Sequence, residues 1–123
     1  MWRILAVDDD NDILDILQFI LEDSGYKVDT LSDGNKFMDA VNENNPDLIL
    51  LDVMLGNCDG RDLCKQLKKL EQTHNIPVVM ISASHNSGNT INGEDGPDEF
   101  VAKPFDINDL LGTIEKQLSL RAA

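Results

Sequence analysis

Four groups of residues in this chain carry the functional groups of a reactive site, and each directly follows a short apolar run. Asp8-Asp9-Asp10 stands after Ile4–Val7, Asp52 after Leu48–Leu51, Ser82 after Val78–Ile81, and Lys103-Pro104 after Glu99–Ala102. In an open parallel sheet, ligands bind outside the carboxyl ends of the strands. If these runs are such strands, three carboxylates, a hydroxyl and an ammonium meet on one edge. Two carboxylates about 4 Å apart repel by roughly 4 kcal/mol at an effective dielectric of 20, so the cluster needs a cation. Oxygen donors with no His or Cys in reach select a hard ion. A few carboxylates, with the remaining positions left to water and phosphate, suit Mg²⁺ better than a full calcium cage. A metal, an ammonium and a carboxylate nucleophile together are the equipment of phosphoryl transfer.

The elements that must hold these groups follow from the pattern of apolar residues. Short β-branched runs alternate with longer stretches of helical period, the signature of an α/β protein on a parallel sheet. Ile4–Val7, Lys27–Leu31, Leu48–Leu51, Val78–Ile81 and Glu99–Ala102 read as five strands, the second the weakest because only Tyr26, Val28 and Thr30 alternate. Ile13, Leu14, Leu17, Ile20 and Leu21 form a helical stripe that Gly25 is placed to end. Phe37, Met38 and Val41 mark a second helix that stops before Pro46. Leu63, Cys64, Leu67 and Leu70 mark a third, which makes Cys64 a core residue. Ile107, Leu110, Leu111, Ile114 and Leu118 mark the last, with Asp106 as its N-cap. Gly112 inside it costs roughly 1 kcal/mol relative to Ala and is read as a site of close packing. Residues 84–96 contain a single large apolar residue, Ile91, so a loop or a short unstable helix is expected where a crossover helix would otherwise stand.

Composition narrows the field. The chain has 123 residues, and its 10 Lys and Arg against 23 Asp and Glu give a formal charge of −13. The length predicts one domain spanning 1–123 with room for a real hydrophobic core. So acidic a chain is not expected to bind nucleic acid or an anionic membrane on its own. Its apolar runs are far shorter than the roughly 20 residues a membrane span requires. The N-terminus lacks the features of a signal peptide, so a cytoplasmic location is the expectation. Cys58 and Cys64 suggest neither a zinc site nor a disulfide framework.

With these residues in place, the chain resembles the receiver domain of two-component response regulators over its whole length. The acidic pair matches Asp8 and Asp9, and the phospho-accepting Asp matches Asp52 in Leu-Leu-Asp-Val-Met-Leu. The hydroxyl after the fourth strand matches Ser82, the switch aromatic Phe100, and the Lys with its following cis-Pro Lys103 and Pro104. Asp59-Gly60 matches the Asp-Gly pair that commonly follows the phosphoacceptor. The resemblance implies a flavodoxin-like, doubly wound sheet in the order 2-1-3-4-5, here with the fourth helix short or absent. It implies that Asp52 receives a phosphoryl group from a sensor histidine kinase, a histidine phosphotransfer protein or a small phosphodonor. Mg²⁺ would be held by Asp8, Asp9, Asp52 and the backbone carbonyl of Met54. Lys103 would pair with one phosphoryl oxygen and Ser82 would bond another, after which Phe100 would swing inward. On this view the domain catalyses its own phosphorylation and dephosphorylation, works as a monomer or weak dimer, and signals to a downstream partner the sequence does not identify. Gly56 stands where the family often has Pro, which points to a looser loop.

Other readings of the same residues fit less well. Asp10 and Asp12 read as a solvated helix N-terminus, and Asp59 as a turn residue. Asp8-x-Asp10-x-Asp12 imitates a calcium loop, but Ile13 and Phe19 occupy the positions of the required Gly and Glu. A haloacid-dehalogenase-type phosphatase would need more chain and gives no role to Asp52. A flavin module would need a phosphate loop where the acidic run stands. A receiver that no longer takes phosphate, serving as a constitutive interaction module, is the remaining alternative. His74 and His85 read as surface histidines, and Trp2 as packing at the start of the first strand.

Overall fold

The computed structural model describes residues 2–56, 58–82 and 96–122. In chain order its elements are β1 (Arg3–Val7), α1 (Asn11–Asp23), β2 (Lys27–Leu31), α2 (Phe37–Asn44), β3 (Leu48–Asp52), β4 (Met54–Leu55), β5 (Cys58–Asp59), α3 (Gly60–Lys69), β6 (Val78–Ser82), β7 (Glu99–Ala102) and α4 (Ile107–Ala122). Five strands form one parallel sheet in the order β2-β1-β3-β6-β7. This is the expected 2-1-3-4-5 order, because β4 and β5 belong to a separate antiparallel hairpin. The expected loop over 84–96, with its short or absent helix, falls largely on 83–95, outside the described residues.

Alternation along each strand sends side chains to two cores. On one face Leu5, Val7, Ile49, Leu51, Val78 and Met80 pack with Phe37 and Val41 of α2 and with Leu63, Cys64 and Leu67 of α3. On the other, Ile4, Ala6, Leu48, Leu50, Val79 and Ile81 meet Leu14, Leu17 and Leu21 of α1 and Leu110, Ile114 and Leu118 of α4. Every residue of β3 and β6 is buried, as parallel strands covered on both faces should be. A fully buried Leu or Ile contributes on the order of 1.5–3 kcal/mol relative to an exposed one, so these stripes are what hold the helices to the sheet.

The helix boundaries have local causes. Asp10 caps α1, its carboxylate accepting from the N–H groups of Asp12 at 2.9 Å and Ile13 at 3.4 Å, and Gly25 leaves the helix at φ +97°. Asn45, in the left-handed region at φ +48°, ends α2 one residue before Pro46. Asp106 caps α4 as expected, accepting from Asn108 and Asp109. Four details depart from the sequence reading. Leu70 lies beyond α3 and is 44 % exposed, and Ile107 at the start of α4 is 48 % exposed, so neither is part of a buried stripe. A 3₁₀ turn at Gly34–Lys36 precedes α2. Gly112 marks no close packing: a Cβ there would meet nothing within 4 Å.

Polar ties close the end of the sheet away from the carboxyl ends of its strands. Asp47 accepts from the Arg3 N–H at 2.9 Å, and Lys68 Nζ donates to Asp98 at 2.8 Å and to the Ile76 carbonyl at 2.9 Å. Trp2 sits at this end, with its carbonyl accepting from the Lys27 N–H and the residue exposed. No helix among the described residues is long and apolar enough to cross a membrane.

Candidate functional site

The register of the sheet brings the reactive residues together. Val7 lies opposite Leu51, so the next residues on the two strands, Asp8 and Asp52, come level at the carboxyl edge. Ser82 lies opposite Ala102, which places Lys103 just beyond the same edge, its N–H bonded to the Ser82 carbonyl at 2.8 Å. Asp52 and Ser82 are the last residues of their strands rather than the first residues after them. The ladder extends one position further than the apolar runs, because a ladder depends on backbone pairing and not on side-chain hydrophobicity. The Lys103–Pro104 peptide bond is cis.

Asp8, Asp52 and Ser82 are buried, at 2 %, 5 % and 4 % exposure, whereas Asp9 faces solvent. Asp8 accepts from the Asp10 N–H at 3.0 Å through Oδ1 and from Lys103 Nζ at 3.0 Å through Oδ2. Asp52 Oδ2 lies 3.4 Å from the same ammonium, and Asp52 Oδ1 accepts from the Met54 N–H at 3.4 Å. Lys103 thus bridges two buried carboxylates. Asp8, Asp9 and Asp52 each offer an oxygen within 4.8 Å of the others. Three carboxylates against one ammonium leave a formal excess of two negative charges (3 − 1).

Burial and this crowding of charge push the pKa of Asp52 up to about 6. Burial is the main cause and the Asp8 charge the next; Lys103 and the Met54 N–H offset them only in part. Burial pulls the Lys103 ammonium downward, but its hydrogen bond to Asp8 and the charges of Asp52 and Asp8 outweigh this and hold it above the usual lysine range. An all-oxygen donor set with surplus negative charge fits a hard divalent cation such as Mg²⁺.

The remaining candidates occupy the surroundings of this cluster. Phe100 lies opposite Met80 on β7, half-buried against the core that contains Leu5 and Met80. Met54 opens the β4–β5 hairpin, its side chain 70 % exposed while its N–H orients Asp52. Gly56 turns that hairpin at φ +67°, a torsion closed to Pro, which is locked near −65°. Asp59 caps α3 by accepting from the Arg61 N–H at 2.9 Å and pairs with the Arg61 guanidinium at 2.8 Å, and that guanidinium holds its carboxyl below the usual range. It takes no part in the carboxylate cluster. Asp10 likewise serves as a cap, but its own N–H orients Asp8, a contribution no side-chain pattern signals. His74 is exposed, with Nδ1 2.9 Å from the Glu71 carbonyl; His85 lies outside the described residues.

The sequence profile of the response regulator receiver domain matches residues 4–115. Among solved structures, a CheY-like response regulator receiver domain protein from Methanospirillum hungatei superposes with a TM-score of 0.89 at 28 % identity, over 99 % of this chain and 97 % of its own. The receiver domain of response regulator 1452 from Francisella gives 0.86 at 32 % identity, over 97 % of this chain and 98 % of its own. The signal receiver domain of a signal transduction histidine kinase from Syntrophus aciditrophicus gives 0.87 at 30 % identity, over 97 % and 91 %.

Proposed function

Because this chain belongs to the response regulator receiver family, we propose that it is a phosphorylation-dependent signalling switch in which Asp52 carries the phosphoryl group. The observation that supports this most directly is the convergence of Asp8, Asp9, Asp52 and Lys103 at one sheet edge. An Asp52 carboxylate oxygen attacks the phosphorus of a phosphohistidine on a sensor histidine kinase or phosphotransfer protein, or of a small phosphodonor. The bond from phosphorus to the leaving group breaks, its electron pair departs with that group, and an acyl phosphate remains on Asp52. Lys103, against both Asp8 and Asp52, would pair with a phosphoryl oxygen, and Ser82 would donate to another. Asp8, Asp9, Asp52 and the backbone carbonyl of Met54 would hold Mg²⁺, which supplies charge neutralisation of the transferring oxygens when bound.

The switch is a local electrostatic change biasing a packed element. Phosphorylation replaces the Asp52 carboxylate with an acyl phosphate carrying about −1.5 to −2 charges, a net gain of at most roughly one negative charge beside Asp8. Drawing Ser82 toward the phosphoryl group shifts the end of β6, against which β7 and Phe100 pack. We assign residues 1–123 to a single such unit, working in the cytoplasm as a monomer or weak dimer, with hydrolysis of its own acyl phosphate resetting it. The test is intact mass after incubation with a small phosphodonor, with and without Mg²⁺, on the native chain and on Asp52→Asn. A single Mg²⁺-dependent adduct absent from the variant is expected. A folded, Mg²⁺-binding chain that takes no adduct would instead be a phosphate-independent interaction module.

A further inference from the structure

Gly60 opens α3, and its N–H donates to the Val53 carbonyl at 2.7 Å. A Cβ at this position would run into the Asp52 carbonyl oxygen, and would stand 3.0 Å from the Asp52 carbonyl carbon and 3.1 Å from the Val53 Cα. All three obstacles are backbone atoms, which cannot swing aside as the end of a side chain can. Torsion is not what demands glycine here, for the described glycines with positive φ are Gly25 and Gly56. Space alone excludes a side chain at Gly60. Gly34 and Gly112 differ: a Cβ on Gly34 would press on the Cys58 side chain, and one on Gly112 would meet open space.

We propose that Gly60 is a positioning residue for Asp52. Its missing side chain lets the first turn of α3 lie directly against the Asp52–Val53 peptide. That contact fixes the backbone from which the Asp52 carboxylate reaches Lys103 on one oxygen and the Met54 N–H on the other. Any side chain at residue 60 must push α3 and the end of β3 apart, and the carboxylate moves with the strand. The proposal rests on the reading of Asp52 as phosphoacceptor. Misplacement of a reacting group by about 1 Å can cost on the order of a hundredfold in rate.

The test compares the full native chain with Gly60→Ala, Gly112→Ala and the double variant, each shown to be folded by circular dichroism. Gly112→Ala controls for generic loss of a glycine and provides a more stable background for Gly60→Ala. Gly60→Ala is expected to lower the maximal phosphorylation rate about a hundredfold with little change in the half-saturating phosphodonor concentration. It should also weaken Mg²⁺ binding, read from the amide chemical shifts of Asp8, Asp10, Asp52 and Val53, while Gly112→Ala matches the native chain in both. A merely structural role would lower stability and leave the rate of the folded protein unchanged. A folded Gly60→Ala with native rate and native Mg²⁺ titration would overturn the proposal. Failure to fold in both backgrounds would overturn it too, since glycine would then be needed for the fold rather than for the site. If the native chain takes no phosphoryl group, the reading of Asp52 fails on its own, and the Mg²⁺ titrations still decide whether Gly60 sets the geometry.

Discussion

Asp52 is buried beside another buried carboxylate, and that position has a measurable consequence for the unliganded protein. Its pKa in the folded chain, about 6, exceeds the ordinary 3.8, so the folded state holds this proton more tightly than the unfolded state. The associated stability is present in full below about pH 4 and is lost as pH rises through about 6. Asp52→Asn, which cannot ionise, is therefore expected to be more stable than the native chain near neutrality by on the order of 1–3 kcal/mol. The gain should shrink toward pH 4, as urea unfolding across that range in chelator will report. Lys103→Met should act in the opposite direction, because it strips Asp8 and Asp52 of their shared ammonium. A loss of about 2 kcal/mol near neutral pH is expected, below the range for a fully buried pair because Lys103 is one-fifth exposed. Adding Mg²⁺ should restore much of it, and a loss indifferent to Mg²⁺ would count against a cation site. At this scale the sequence was legible wherever residue type carries the chemistry: Asp8, Asp9, Asp52, Ser82, Lys103 and Pro104 stand out by type and position. The Asp10 N–H on Asp8 was not legible, and although the Asp-Gly pair marked Gly60, its contact with Asp52 was not legible either, since both are backbone approaches.

Helices and strands were readable to the extent that periodicity defines them. The five sheet strands emerge within a residue of their ends, and the buried stripes of α1 and, from Leu110 onward, of α4 follow the spacing of their Leu and Ile residues, whereas Ile107 is exposed. The β4–β5 hairpin was not readable, because two-residue strands have no period and their pairing depends on the turn at Gly56. Leu70 looked like one more turn of α3, yet the chain leaves the helix there and the side chain is exposed. Gly112 was misread for a related reason: a glycine in a helix shows its cost in sequence but not the space around it. That space is open, so Gly112→Ala should stabilise the chain by about 1 kcal/mol. A rise in the urea midpoint at unchanged slope would show it. Asp106→Ala should remove the cap of α4 and cost about 1 kcal/mol by the same measurement, with Asp106→Asn largely neutral because the amide oxygen can still accept.

Charge is the property that belongs to the whole molecule. At −13 the chain repels itself beyond the carboxylate cluster, and such repulsion is screened within about 10 Å at 0.1 M salt. Raising monovalent salt from low ionic strength at neutral pH is therefore expected to raise the thermal midpoint. Mg²⁺ should raise it further at fixed ionic strength, by mass action on the folded state, and Asp8→Asn should abolish that second increment. The acidic balance sets an expectation about partners but does not show how the surplus charge is distributed. Trp2, the chain's single tryptophan, adds one more consequence at this scale. It lies at the opposite end of β1 from Asp8, and the five residues of that strand separate the two by roughly 20 Å. Its emission is thus a witness to unfolding that is blind to events at the carboxylates. A native-state titration with Mg²⁺ should leave the fluorescence unchanged, while a denaturation curve read by the same light reports the fold alone, whatever the site has bound.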